Sequence, residues 1–181
     1  MKSNISKTEL PYPGSNAIDK LSGIDAIELI LKEQMLAIEA IKNKIRSLNT
    51  IIDNIYHHLS KHKKGRLIYC GAGTSARIAV QDGVELYPTF GWPKKRLSFI
   101  IAGGKTALTS SLEGAEDDIN DAKIQFMKHN LTCDDVLIGV AASGNTPFTC
   151  KVLELATLKK VLTVSITNNP DSEIIKCSKL K

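Results

Sequence analysis

Past Gly65 the chain carries four short apolar runs, at 67–70, 97–102, 136–142 and 162–167, each separated from the next by a segment of helical spacing. Runs this short, with no alternation of polar residues, read as strands buried on both faces. The intervening segments, 75–86, 117–129 and 147–158, read as helices. Such alternation admits few folds. Right-handed crossovers give an α/β domain, a parallel sheet with helices on both faces. Ligands of such sheets lie at the carboxyl ends of the strands, so the loops after each run are the informative ones.

Those loops share a chemistry. The first run leads into Gly71-Ala72-Gly73-Thr74-Ser75, the second into Gly103-Gly104-Lys105-Thr106, the third into Ser143-Gly144-Asn145-Thr146-Pro147, and the fourth into Asn168-Asn169-Pro170. Glycine allows a sharp turn and close backbone approach, and the N–H groups of a following helix face an anion with the dipole in its favour. Thr74, Ser75, Ser143, Asn145 and Thr146 are therefore candidate phosphate ligands. The same residue types also serve as caps and turn formers. Pro147 suits the first turn of a helix. Arg77 either adds charge to the cradle or lies on the surface of the first helix.

Two nucleotide motifs are excluded. Gly71-x-Gly73-x-x-Ala76 matches a permissive dinucleotide fingerprint, but the second run ends Ile101-Ala102-Gly103-Gly104 with no acid for a ribose. Gly104-Lys105-Thr106 lacks the glycine five residues earlier that a P-loop needs, since Phe99 stands there. Two hydroxyl-rich loops favour a small phosphate ester.

Residues 1–60 precede this domain. Pro11, Pro13 and Gly14 mark an extended arm, and a helical segment follows from Ser22. Ile38, Ile41, Ile45, Leu48, Ile52, Ile55 and Leu59 alternate in steps of three and four, one stripe along a helix that covers either the domain's own core or a partner helix. Residues 61–181 form the domain proper.

Bulk properties set outer limits. No apolar run approaches the ~18 residues of a membrane span, and the N-terminal residues lack a secretory segment, so a cytoplasmic protein without membrane partners is expected. Cys70, Cys133, Cys150 and Cys177 are scattered, with no ligand spacing for a metal. The net charge of +5 is concentrated at 61–66 and the C-terminal lysines, and with 5% aromatics no base-stacking platform for nucleic acid is evident.

At the two hydroxyl-rich loops the chain resembles the sugar isomerase (SIS) domains, whose sheet is a flavodoxin-like three-layer αβα. More narrowly it resembles the N-acetylmuramic acid 6-phosphate etherase family, related to the glucokinase regulatory protein. The carrying segments are Ile18-Asp19-Lys20-Leu21-Ser22, residues 66–77, Glu85-Leu86-Tyr87-Pro88-Thr89-Phe90-Gly91, Ile101-Ala102-Gly103-Gly104, Glu113-Gly114-Ala115-Glu116-Asp117-Asp118 and Ala141-Ala142-Ser143-Gly144-Asn145-Thr146-Pro147. The resemblance implies a cofactor-independent lyase, and with the stripe's partner-helix reading a homodimer is expected. The lyase would cleave the C3 ether of N-acetylmuramic acid 6-phosphate to N-acetylglucosamine 6-phosphate and D-lactate, in cell-wall amino-sugar recycling. The resemblance also implies Glu85 as proton donor to the lactate oxygen and Glu116 as base at C2. From the residues alone, Glu85 among apolar neighbours is either partly desolvated or a surface residue. Glu113, Glu116, Asp117 and Asp118 cannot be told apart by spacing, and any of them could serve the start of the next helix.

The sequence departs from the family at Ala76 and Ala79, where glycine is usual, and at Leu86-Tyr87, where a Cys-Pro turn is usual. The family also continues beyond the point matching Lys181. The expectation is therefore an etherase completed by a further chain, or a non-catalytic phosphosugar-binding module. A sugar-phosphate isomerase is a weaker alternative.

Overall fold

A computed structural model describes Thr8, Leu10 and residues 18–181; the expected extended arm lies largely outside the described residues. Two helices, α1 (Gly23–Lys42) and α2 (Ile45–Lys61), lead into β1 (Leu67–Gly71), α3 (Gly73–Phe90), β2 (Leu97–Ile101), α4 (Ile119–His129), β3 (Val136–Val140), α5 (Pro147–Leu158), β4 (Leu162–Ile166) and the short α6 (Glu173–Lys176). The four strands form one parallel sheet in the order β2-β1-β3-β4. Leu180 pairs in parallel with Val164 beyond β4, so the last residues start along the sheet's outer edge.

Alternate side chains divide the core. Ile68, Cys70, Ile100 and Leu137 face α4, α5 and α6, where Phe126, Phe148 and Leu153 are buried. Gly139 leaves room for Leu153, because a Cβ there would overlap its methyl groups. On the opposite face Val136, Ile138, Leu162 and Val164 pack against Leu59, Ile55 and Ile51 of α2, while Ile101 and Phe99 pack against Ala76 and Val80 of α3. Helices therefore cover both faces, as the alternating pattern requires.

The N-terminal helical segment is not continuous. Residues 43 and 44 form a turn between α1 and α2, with the Asn43 N–H donating to the Glu39 carbonyl (3.3 Å) and the Lys44 N–H to the Ile41 carbonyl (2.8 Å). The apolar stripe crosses this break, and its two uses divide along the chain. Ile51, Ile55 and Leu59 cover the sheet, whereas Ile38, Ile41, Ile45, Leu48 and Ile52 are exposed. No residue of α1 is buried.

The helix after β1 also differs from expectation. It runs through Tyr87 and Pro88 to Phe90 and ends at Gly91, whose φ of 66° is the left-handed conformation that favours glycine at a helix end. The stretch after Glu85 is thus helix rather than turn.

Candidate functional site

β1 and β3 are neighbours, but their following helices leave on opposite faces of the sheet. This is the switch point of the 2-1-3-4 order, the place where such sheets open a crevice. Both hydroxyl-rich loops end there, and each turns on a positive-φ glycine, Gly73 at 53° and Gly144 at 70°. Gly71 answers a different need. A Cβ there would press on the Val140 carbonyl and the Ala76 backbone, so its absence lets α3 start hard against the sheet. Ala76 fits this packing, 2% exposed beside Ile101 and Ala107.

The hydroxyls of the first loop do no capping. Ala72 occupies the cap position of α3, and neither Thr74 nor Ser75 has a side-chain hydrogen bond within the described residues. They stand in the first turn of an 18-residue helix, free to meet an anion. In the second loop the duties are mixed. The Ser143 hydroxyl accepts from the Asn145 N–H (3.2 Å), and Asn145 Oδ1 accepts from the Glu173 N–H (3.0 Å), tying α6 to the loop. Thr146 is the cap residue of α5 but makes no side-chain cap bond. Asn169, nearly buried, donates through Nδ2 to the Ala142 and Ser143 carbonyls (3.2 and 3.0 Å) and fixes the loop from the β4 side.

A cavity of about 400 Å³ lies between the first loop and residues 107–116. Gly73, Thr74, Arg77, Ser110, Glu113 and Glu116 are among its lining residues. Sequence spacing left four carboxylates equivalent, and capping separates them. Asp118 accepts from the Asn120 and Asp121 N–H groups (both 2.9 Å) and starts α4. Glu116, in a 3₁₀ turn over Ala115–Asp117, carries no such duty and faces the cavity, as does Glu113. Thr74 and Glu116 are thus brought together.

Glu85 is not. It is exposed, so burial supplies none of the desolvation considered from its neighbours, and it stands about three turns (~16 Å) along α3 from Thr74. A helix that leaves the carboxyl end of a strand returns antiparallel to it, so its far end moves away from the loop it began at. At 100° per residue, Thr74, Ile78, Gln81 and Glu85 share one face of α3, and all four are exposed.

Arg77 and Ser110 were the residues that sequence reasoning under-read. Arg77 donates from Nε to the Ala107 carbonyl (3.0 Å) and from Nη2 to the Ser110 carbonyl (3.1 Å), fastening the cavity's outer wall to α3. Both acceptors are main-chain atoms, Ala107 in the 3₁₀ turn Gly104–Leu108 and Ser110 just beyond it, which no side-chain pattern announces.

A parallel sheet with two glycine-turned loops at its switch point, one of them opening a polar cavity, is the architecture of the sugar isomerase class. Among solved structures, phosphoheptose isomerase from Francisella tularensis is similar in fold, with a TM-score of 0.65 and 15% identity over 88% of this chain and 82% of that one. The phosphoheptose isomerase of Neisseria gonorrhoeae gives a TM-score of 0.51 at 19% identity, covering 82% and 81%. The profile of the glucokinase regulatory protein N-terminal SIS domain matches residues 50–157, and the chain belongs to that family. N-acetylmuramic acid 6-phosphate etherases are similar over most of the chain's length. That of Vibrio vulnificus is 40% identical over 172 residues, covering 94% of this chain and 57% of the relative. That of Francisella tularensis (strain SCHU S4) is 38% identical over 172 residues, covering 95% and 58%. The chain thus spans little more than half the length of the curated relatives it matches.

Proposed function

We propose that this chain carries the chemistry of an N-acetylmuramic acid 6-phosphate etherase, a carbon–oxygen lyase acting in the cytoplasm on a sugar phosphate. The observation that carries this reading is the cavity shared by Thr74, at the start of α3, and Glu116. The etherase names of its relatives support it. The phosphate meets the α3 N-terminus with the Thr74 and Ser75 hydroxyls, and Ser143, Asn145 and Thr146 close on it from the neighbouring loop. In the open-chain sugar, C2 is acidic because it adjoins the C1 aldehyde. Glu116 takes the C2 proton, and Glu85 protonates the C3 ether oxygen as D-lactate leaves. Water then adds at C3 of the unsaturated aldehyde, with the proton returned at C2, to give N-acetylglucosamine 6-phosphate.

Glu85 serves this reaction from a second copy of the chain. Two α3 helices packed through their exposed faces about a two-fold axis perpendicular to them run antiparallel, so the Glu85 end of one meets the Thr74 end of the other. Ile78, exposed on that face, and the exposed apolar residues of α1 and α2 support a homodimer.

The assay is D-lactate release from N-acetylmuramic acid 6-phosphate. Glu85→Gln and Glu116→Gln each abolish it, and mixing the two inactive variants restores about a quarter of wild-type activity, through heterodimers with one intact site. A folded protein that binds the sugar phosphate without releasing lactate is instead a non-catalytic phosphosugar-binding module, the reading favoured by Glu85's distance from Glu116 within one chain.

A further inference from the structure

Arg77 holds a positive charge that no ion pair neutralises among the described residues. It lines the cavity with Glu113 and Glu116, yet no carboxylate among the described residues forms an ion pair with it. Its two hydrogen bonds go to neutral carbonyls, from Nε to Ala107 and from Nη2 to Ser110. A guanidinium has five N–H donors in a fixed fork, so both hydrogens of Nη1 and one of Nη2 remain. Those two bonds also fix the side chain, so a ligand meets a donor whose rotamer is already ordered.

We infer that Arg77 is the specificity-determining residue for the carboxylate of the 3-O-lactyl group, an assignment that rests on the sugar-phosphate reading above. The ether to be cleaved is at C3, next to the C2 whose proton Glu116 takes. A sugar seated so that C2 reaches Glu116 carries its C3 substituent into the same cavity, whose one cationic lining residue is Arg77. Glu113 and Glu116 repel an incoming carboxylate, and a forked cation offsets that repulsion where a hydroxyl cannot. The phosphate is accounted for separately, by the free hydroxyls and N–H groups of the first turn of α3. Arg77 then separates a substrate that bears the lactyl acid from the product that lacks it.

Three ligands test this by calorimetry on the full chain carrying Glu85→Gln, which keeps the cavity and spares the ether. They are N-acetylmuramic acid 6-phosphate, its neutral lactamide analogue, and N-acetylglucosamine 6-phosphate. The carboxylate ligand is expected to bind about ten- to a hundredfold tighter than the amide. Adding Arg77→Gln brings those two to the same affinity and changes N-acetylglucosamine 6-phosphate by less than about twofold. Equal affinity of carboxylate and amide for the Glu85→Gln chain overturns the assignment without any Arg77 variant, so a folding defect cannot mask it. Equal loss for all three ligands on adding Arg77→Gln also overturns it, leaving Arg77 a wall tether or a phosphate contact. In both cases the sugar-phosphate reading survives. If none of the three binds the Glu85→Gln chain, that reading falls and the assignment falls with it.

Discussion

Asp135→Asn is expected to destabilise the chain by about 2–4 kcal/mol while leaving the phosphate loops intact. Asp135 is 2% exposed and closes the amino-terminal end of the sheet. Its Oδ1 accepts from the Arg66 backbone N–H (2.8 Å) and from Arg66 Nε (3.1 Å), and its Oδ2 from Arg66 Nη2 (2.7 Å) and the Thr132 N–H (2.9 Å). Arg66 precedes β1 and Asp135 precedes β3, and the Val136 N–H donates to the Arg66 carbonyl (2.8 Å). The pair therefore sets the register Leu67↔Val136 between the two strands that carry the phosphate loops at their other ends. An amide keeps the Oδ1 contacts but turns an NH₂ toward two donors. Breaking a buried pair costs about 3–5 kcal/mol, and the 26% exposure of the Arg66 side chain lets water recover part of it.

For a chain of this length that cost corresponds to a Tm lower by about 5–15 °C. Burial works to raise the Asp135 carboxyl, but hydrogen bonds from Arg66 and Thr132 outweigh it and hold the group below the usual range. A depressed folded value contributes stability above the unfolded pKa of about 3.9, and that contribution is lost as pH falls through the folded value. The gap between wild type and variant in thermal melts is therefore widest near neutrality and closes in acid. Glu173→Gln, which breaks an exposed pair with Lys176 (2.6 Å), moves Tm by less than ~2 °C. A neutral-pH gap no larger than that control, or one that widens in acid, refutes the account.

Gly144→Ala puts a Cβ at φ 70° against the Ser172 hydroxyl and costs about 3 kcal/mol, with loss of sugar-phosphate binding, while Gly91→Ala, with open space at φ 66°, costs about 1 kcal/mol and binds normally; melts and calorimetry read both. Leu59→Ala removes a buried side chain between α2 and the sheet and costs about 2–4 kcal/mol in urea unfolding, whereas Ile52→Ala, 61% exposed, leaves stability near wild type and weakens self-association in sedimentation. In thiol titration with a disulfide reagent at pH 8, exposed Cys133 reacts first. Cys150, pushed up to about 12 by burial and neighbouring groups, lags, and buried Cys70, pushed higher by burial, reacts only on unfolding.

The strands were legible because a strand buried on both faces needs an unbroken apolar run, and runs of that kind are rare enough to count. The carboxyl ends of β2, β3 and β4 were overread by one or two residues, and that of β1 was underread by one. Ala102, Ala141 and Ala142 are apolar but small, and they already belong to the loops. The α1–α2 break was invisible because a turn at residues 43 and 44 preserves the phase of the stripe, and periodicity registers phase rather than hydrogen bonding. The helix was expected to end at residue 86, just before Tyr87-Pro88, and proline lacks an N–H for a helix interior. Near the exposed end of α3 that loss is tolerated, and Gly91 ends the helix instead. Asn145 combined a ligand-like loop position with a structural bond to Glu173 that only the fold reveals.

The family resemblance implies Glu85 and Glu116 as acid and base, yet Glu85 stands about three turns (~16 Å) along α3 from Thr74, which shares the cavity with Glu116. α3 must run away from the cradle it starts, because every right-handed crossover returns antiparallel to its strand. Under the proposed function, etherase activity and self-association are therefore a single hypothesis. Dilution of the active protein should lower the specific rate of lactate release in step with dimer dissociation. A specific rate that holds constant while sedimentation reports monomers would break the link. Glu85 would then be a surface residue of α3, and the acid would have to be sought among groups that reach the cavity from the same chain, Glu113 first.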